Sequence, residues 1–182
     1  MAGKFIVIVG PSAAGKTELV RALVAKLPNA ARLITMTTRP RRSDEGEDYF
    51  FITRQEFESR INSGDCFEHA EVYGNLYGSS RTALADFRQR HDYVFAIIDV
   101  QGAQTLKDKI PDALAIFIRP GNLADVKERL IRTRTNIDPA ELIKRLETTE
   151  RELELAETFD AIVENPDGHF QDAVKRVMEI IG

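Results

Sequence analysis

At 182 residues, 43% apolar and 30% charged, the chain has the length for one domain with a sizeable core and small insertions, and its composition excludes the disordered class. A net charge of −4 argues against a nucleic-acid or anionic-membrane partner, either of which wants a basic face. Cys66 is the single cysteine, which excludes an internal disulfide or a cysteine metal cluster, and His69, His91 and His169 lack ligand spacing.

Phe5-Ile6-Val7-Ile8-Val9 is an unbroken apolar run rich in β-branched residues, suited to a strand buried on both faces of a parallel sheet. It starts so early that no signal peptide is expected, and no apolar stretch reaches the roughly 18 residues of a membrane span, so the expected location is cytoplasmic. Gly10-Pro11-Ser12-Ala13-Ala14-Gly15-Lys16-Thr17 follows, reading G-x-x-x-x-G-K-T. Beyond it Leu19, Val20, Leu23, Val24 and Leu27 recur at helical spacing until Pro28. A glycine-bearing turn between a buried strand and a helix N-terminus is a phosphate-binding loop. Its free N–H groups and the helix dipole face an anion, Lys16 reaches the outer phosphates of a nucleoside triphosphate, and the Thr17 hydroxyl ligates Mg²⁺.

Further buried strands are expected at Arg32-Leu33-Ile34, Tyr93 to Ile98, Ala115 to Ile118 and Ala161 to Val163, mostly separated by helical patterns. The expected fold is therefore α/β, a parallel sheet with helices on both faces. Residues 35–92 break this rhythm with short alternating strands at Tyr49 to Ile52 and Cys66 to Tyr73. Between those strands lies a helix capped by Thr53, with Glu56 three residues on, and closed by Gly64. This is a small α+β insertion, expected to carry a second substrate. It opens with Thr35-Met36-Thr37-Thr38-Arg39-Pro40-Arg41-Arg42, whose three arginines in an acidic chain suit a guanidinium clamp for a phosphate.

Late in the chain a helix from about Leu123 carries Arg129 and Arg132, and Thr133 to Ile137 reads as a polar loop. Asp138 caps the next helix with Pro139 at its first position. That helix holds Lys144 and Arg145 and sets Leu142, Leu146 and Leu153 on one face. The arginines of this segment and of residues 35–92 have no evident internal partners, so both regions are expected to close on a bound nucleotide.

Taken together these motifs resemble the guanylate kinase family. The family pattern runs G-P-S-x-x-G-K-[ST], S-x-x-T-R-x-x-R, D-Y, an acidic strand before G-N-x-Y-G-[ST], then D-x-Q-G. It is met in order by Gly10 to Thr17, Thr35 to Arg42, Asp48-Tyr49, Glu68, Gly74 to Ser79 and Asp99 to Gly102. The resemblance covers nearly the whole chain and implies phosphorylation of GMP by ATP with Mg²⁺. It implies that Arg39, Arg42, Tyr49 and Tyr77 hold the GMP phosphate, that Glu68, Thr35 and Ser79 read guanine, and that Asp99 supports the base site or the Mg²⁺ shell. Residues 133–145 would form a lid, with Arg145 and one of Arg132 or Arg134 closing over the transferring phosphate. Asn165 would lie at the adenine of ATP, or in a plain Asn-Pro turn. On this reading the core is residues 1–34, 93–132 and 146–182, and the chain is a monomer or homodimer.

Four departures from the family pattern stand out. Ala13 replaces the usual glycine, which the loop tolerates if that backbone is not left-handed. Thr35 replaces serine, Ile97 replaces the first Asp of D-x-D-x-Q-G, and the loop carrying Glu45, a further GMP-binding candidate, is two residues short. The alternatives are a kinase for another phosphorylated acceptor, such as a ribose bisphosphate, and a non-catalytic guanylate-kinase-like binding module. The intact Gly15-Lys16-Thr17 weighs against the module.

Overall fold

A strand with no polar face has nothing to offer water on either side, and β1 (Lys4–Val9) accordingly lies mid-sheet with every residue after Lys4 buried. The structure is a computed structural model that describes residues 2–41, 49–133 and 137–182. From β1 the chain forms α1 (Lys16–Lys26) and the short β2 (Ala30–Arg32). A second layer follows: β3 (Thr35–Thr37), β4 (Tyr49–Phe51), α2 (Arg54–Asn62), β5 (Cys66–Val72) and β6 (Asn75–Ser80). The chain returns through α3 (Arg81–Arg90) to β7 (Tyr93–Ile97), then α4 (Val100–Gln104), α5 (Leu106–Lys109) and β8 (Leu114–Pro120). It ends with α6 (Leu123–Thr133), α7 (Pro139–Glu154), β9 (Ala161–Asn165) and α8 (Phe170–Ile181).

The main sheet has the order β2-β7-β1-β8-β9, with every pairing parallel, and helices cover both faces. The two-residue period of β1 sends Ile6 and Ile8 to one face, where they pack with Leu19, Val20 and Leu23 of α1 and Val174 and Val177 of α8. Phe5, Val7 and Val9 point the other way, into Leu84 of α3, Ala103 of α4, Leu106 of α5 and Phe67 of β5. These two cores sandwich the sheet and fix where its upper edge opens.

The strand expected at Arg32-Leu33-Ile34 divides instead. β2 stops at Arg32, Leu33 donates one more hydrogen bond to the Phe95 carbonyl (2.7 Å), and the chain crosses into a second sheet at Thr35. This second sheet, β4-β3-β6-β5, is mixed: β3 runs parallel to β4 and antiparallel to β6, and β5 pairs antiparallel with β6. Two of its strands, β3 and β6, are absent from the sequence reading because Thr-Met-Thr and Asn-Leu-Tyr-Gly-Ser-Ser carry weak strand patterns. They form because Met36 and Leu76 must reach Phe57 of α2, and the three make a separate small core. The Thr53 cap of α2 is as expected, a capping box in which Thr53 and Glu56 bond reciprocally.

α6 runs one residue into the expected polar loop, to Thr133, and Asp138 caps α7 through the Ala140 and Glu141 amides. The leucines Leu142, Leu146 and Leu153 are only half-buried. The deeply buried positions of α7 are Arg145 and Thr149, so a polar stripe of this helix faces inward.

The second sheet rests on very few apolar side chains, so it has little to lose before it loosens. Phe57→Ala is expected to destabilise the protein by about 3 kcal/mol or more. Amide exchange should quicken in β3, β5 and β6 well before β1, β7 and β8. Urea denaturation and residue-resolved hydrogen exchange check this.

Candidate active site

The loop from Gly10 to Gly15 joins β1 to α1, and Gly15 holds the N-cap with a left-handed φ of 85°. A side chain there would also lie 2.6 Å from Asn165 Nδ2, so glycine is required on both counts. An anion-binding loop needs its carbonyls turned away from the ligand, and here they turn into protein. Lys16 Nζ donates to the Gly10 and Pro11 carbonyls, each at 2.6 Å. Asn165 Nδ2 donates to the Ala14 carbonyl at 2.8 Å. Arg129 Nη1 donates to the Ala13 carbonyl at 3.3 Å, while its other nitrogens hold the Asn165 carbonyl (2.9 Å) and Asp167 (2.6 Å). Asn165 is therefore buried as a brace beneath the loop, set back from the cleft wall, instead of forming a plain turn.

Ala13 overturns an expectation. Its φ is 61°, the left-handed region that alanine enters at a cost of roughly 1–2 kcal/mol. The loop keeps its shape in spite of Ala13, held by the Arg129 and Asn165 bonds on either side.

Above the loop a cleft of about 1040 Å³ opens between the two sheets. Its walls bring together Gly10, Ser12, Ala13, Ala14, Gly15, Lys16 and Thr17 with Thr35, Arg39, Tyr49, Glu68, Tyr77, Asp99 and Arg145. Pro11 is buried within the loop and Ser79 is wholly buried in the second sheet, so neither lines the cleft. Arg42, Glu45 and Arg134 lie outside the described residues.

Glu68 on β5 is almost fully buried, and burial pushes its carboxyl up to about 7, with the nearby Asp99 charge adding to the shift and the Ser79 hydroxyl beside it opposing. Ser79 Oγ has no hydrogen-bond partner at proper geometry among the described residues. Glu68 thus lies buried beside a hydroxyl with unmet hydrogen-bonding capacity, a condition proteins rarely keep without a ligand to meet it. Gly102, the glycine of D-x-Q-G, backs the carboxylate: a side chain there would come within 2.5 Å of Glu68 Oε2. Asp99 caps α4 through the Gln101 amide (2.9 Å) at the end of β7.

Two of the arginines expected to lack partners, Arg39 and Arg145, have them. Arg39 lies 5.5 Å from the Tyr49 ring and 5.6 Å from Phe51, and donates to the Pro40 carbonyl. Tyr49 in turn meets Tyr77 edge-on at 5.8 Å between ring centres. Arg145 is buried, bonded twice to Glu141 Oε1 (2.8 and 2.6 Å), with its guanidinium 4.3 Å from the Tyr73 ring centre.

The parts played by two groups escaped the sequence reading. Arg129 lies on the buried stripe of α6 between Val126 and Leu130, and an arginine at that spacing was the available signal. Glu152 follows Arg145 and Thr149 down the inner stripe of α7 and lines the cleft. Burial and the Asp99 charge raise the Glu152 carboxyl to about 7, against the pull of Lys16. Desolvation lowers the Lys16 ammonium, and Glu152 and Asp99 restore part of that loss.

A cleft with a phosphate-binding loop on its floor and a carboxylate, tyrosines and an arginine on the facing sheet has room for a triphosphate and for a second ligand beside it. That arrangement belongs to the kinases among the phosphate-binding-loop NTPases. The family model described as Guanylate kinase matches residues 2–182, and the chain belongs to the guanylate kinase family. The guanylate kinase of Thermotoga maritima is 38% identical across 100% of this chain and 87% of its own. That of Protochlamydia amoebophila is 40% identical over 98% and 90% respectively. The crystal structure of guanylate kinase from Anaplasma phagocytophilum superposes with a TM-score of 0.74 at 27% identity, covering 99% of this chain and 85% of that one.

The left-handed Ala13 generates a prediction. Ala13→Gly removes the backbone strain but gives the unfolded chain more freedom, so the net gain is about 0.5–1 kcal/mol. Chemical denaturation of the two proteins measures it, and an unchanged midpoint would show the strain to be absorbed elsewhere.

Proposed function

We infer that the chain transfers the γ-phosphoryl group of ATP to GMP, giving ADP and GDP. The observation that carries this reading is the union, in one cleft, of a phosphate-binding loop and the buried Glu68 carboxylate, with the unsatisfied Ser79 hydroxyl behind it. Guanine presents N1–H and its 2-amino group side by side, and one carboxylate accepts from both. Adenine presents a bare acceptor at N1, so it would leave the carboxylate facing a lone pair. Sites built this way discriminate by about 10⁴ or more. Ser79 and Thr35 complete the edge of the base in this reading, and Asp99 supports it from the end of β7.

The attacking group is a phosphate oxygen of GMP. It forms a bond to the γ-phosphorus while the bond from that phosphorus to the bridging oxygen of ADP breaks. With a second pKa near 6 the GMP phosphate is already mostly dianionic at pH 7, so no general base is called for. The chain's task is to bring two polyanions together and spread the developing charge. Lys16 serves the donor's outer phosphates, leaving its loop carbonyls to do so. Arg39 and Arg42, with Tyr49 and Tyr77, hold the acceptor phosphate, and Glu45 belongs to the same side. Arg145, with Arg132 or Arg134, covers the transferring group. Asn165 contributes from below by holding the loop that receives ATP.

Mg²⁺ fits the oxygen chemistry of the site through the Thr17 hydroxyl. Among the described residues no group of three or more acidic, histidine or cysteine side chains gathers to hold a metal, so the nucleotide's own phosphates would supply most of the ligands. When bound, the ion neutralises phosphate charge. Residues 35–92 act as the acceptor-binding insertion and 133–145 as the lid, and both close on the core. Among the described residues no helix is long and apolar enough to cross a membrane.

The reading is tested by ADP release across the nucleoside monophosphates. GMP is expected to be the preferred acceptor, and equal use of AMP would overturn the assignment. Lys16→Ala should abolish transfer yet leave GMP binding by calorimetry within about threefold, because the two ligands sit on separate walls.

Glu68→Gln replaces one acceptor oxygen with a donor, leaving a guanine donor unpaired at about 1–3 kcal/mol. GMP kcat/KM should therefore drop at least about tenfold, and the preference over AMP should narrow. Since Glu68 titrates at about 7, GMP affinity should weaken from pH 8 to pH 6 in the wild type but much less in Glu68→Gln. The phosphate's own titration is common to both proteins and cancels. The sign for stability is opposite: a carboxyl raised from 4.5 to about 7 favours the fold at low pH and loses that as pH rises through this window. Glu68→Gln should accordingly raise Tm at pH 8 and change it little at pH 4.

A further inference from the structure

β5 and β6 are joined by the two-residue turn Tyr73-Gly74, with Val72 paired to Asn75 across its base. Both turn residues are left-handed, φ 49° for Tyr73 and 78° for Gly74, as a type I′ hairpin requires. The first of these positions favours asparagine, aspartate or glycine, and an aromatic residue there is an outlier that strains the backbone. The turn is locked in place by Asn75, whose Nδ2 donates to the Tyr73 carbonyl at 3.1 Å. Nothing in the hairpin itself gains from the ring.

The gain lies across the cleft. The Tyr73 ring lies against α7, with the Arg145 guanidinium 4.3 Å from its centre and Lys144 Nζ at 5.8 Å. Arg145 is gripped from its own helix by Glu141, one turn back, through Nε and Nη2. The ion pair holds the Nε and Nη2 edge of the guanidinium and the ring lies against it, at the cleft that both residues line. Without the ring, Arg145 keeps its charge and its carboxylate but can swing about the side-chain axis.

We propose that Tyr73 is a positioning residue for phosphoryl transfer, an aromatic platform carried by the acceptor-binding sheet that sets the plane of the Arg145 guanidinium. The proposal rests on the reading that Arg145 serves the transferring phosphoryl group. It also gives that reading a device: the arginine is oriented only while the hairpin tip and α7 are together, so its orientation reports that the two walls of the cleft are in place.

The test separates ring from turn. Tyr73→Asn removes the ring and installs Asn-Gly, the pair the turn itself prefers, so the variant should melt no lower than wild type. Its kcat should nevertheless fall about five- to tenfold, the range of an ordinary cation–π contact, with KM for ATP and GMP within about twofold. Tyr73→Phe keeps the ring and should retain kcat within about twofold. In an Arg145→Ala background, Tyr73→Asn should cause no further loss. A Tyr73→Asn variant with wild-type kcat, a Phe variant as slow as Asn, or additive losses in the double variant would each overturn the proposal. Should Arg145→Ala itself keep full turnover, the role of Arg145 fails and Tyr73's role falls with it. Should Arg145→Ala be slow and Tyr73→Asn fast, only the platform is wrong.

Discussion

The site depends on a small set of bonds beneath it. A loop that is to receive phosphate must direct its N–H groups at the ligand, which forces its carbonyls the other way. Left buried without donors, those carbonyls would each cost on the order of 1–3 kcal/mol. The fold answers with one near donor and two distant ones: Lys16 from the loop's own helix, Arg129 from α6 and Asn165 from the last strand. Arg129 is itself neutralised by Asp167, so a charge is taken below the loop without being left unpaired. The loop is thus made from outside, and a left-handed alanine survives in it because its neighbours are tied.

A cleft meant for polyanions also carries Glu68, Asp99 and Glu152. Of these, Glu152 and Asp99 supply counter-charge to Lys16, a cation that burial desolvates. Two of the three are raised to about 7, so near neutrality they can surrender their charge by taking up a proton. Negative charge arriving with a ligand then meets a wall whose own negative charge is adjustable.

Much of this was legible in the chain because the signals were local and strong. Phe5 to Val9 could only be a central strand, and Gly10 to Thr17 followed by a leucine-rich helical pattern could only be a phosphate-binding turn. The Thr53–Glu56 box and the Asp138-Pro139 start stated their helices outright. What escaped was decided across space. β3 is only three residues long and β6 carries Asn, Gly and Ser that favour turns, and both become strands because Met36 and Leu76 need Phe57. Arg129 and Glu152 look like surface charges until α6 and α7 are laid on the loop. Arg39 and Arg145, read as unpartnered, found rings that no spacing announces, whereas the Glu141 partner of Arg145 was readable four residues back on its helix. The left-handed backbone at Ala13 was invisible because nothing in a sequence records φ.

The junction between the two sheets has a mechanical meaning. On one side the connection is only Leu33-Ile34. On the other, β6 passes into α3 with no linker: Ser80 ends the strand and caps the helix. Asp65 welds this corner, accepting from Ser80 Oγ, from the Thr82 amide and hydroxyl, and from Arg60 at the end of α2. The far end of α3 is riveted to the main sheet's base by Arg88, which donates to the Gly3 carbonyl and to Asp112. The small sheet is therefore mounted like a blade on a crank, with a two-residue joint on one side and a hydrogen-bonded arm on the other. Any swing it makes is geared through α3, and the stiffness of that helix governs the travel of every group the blade carries.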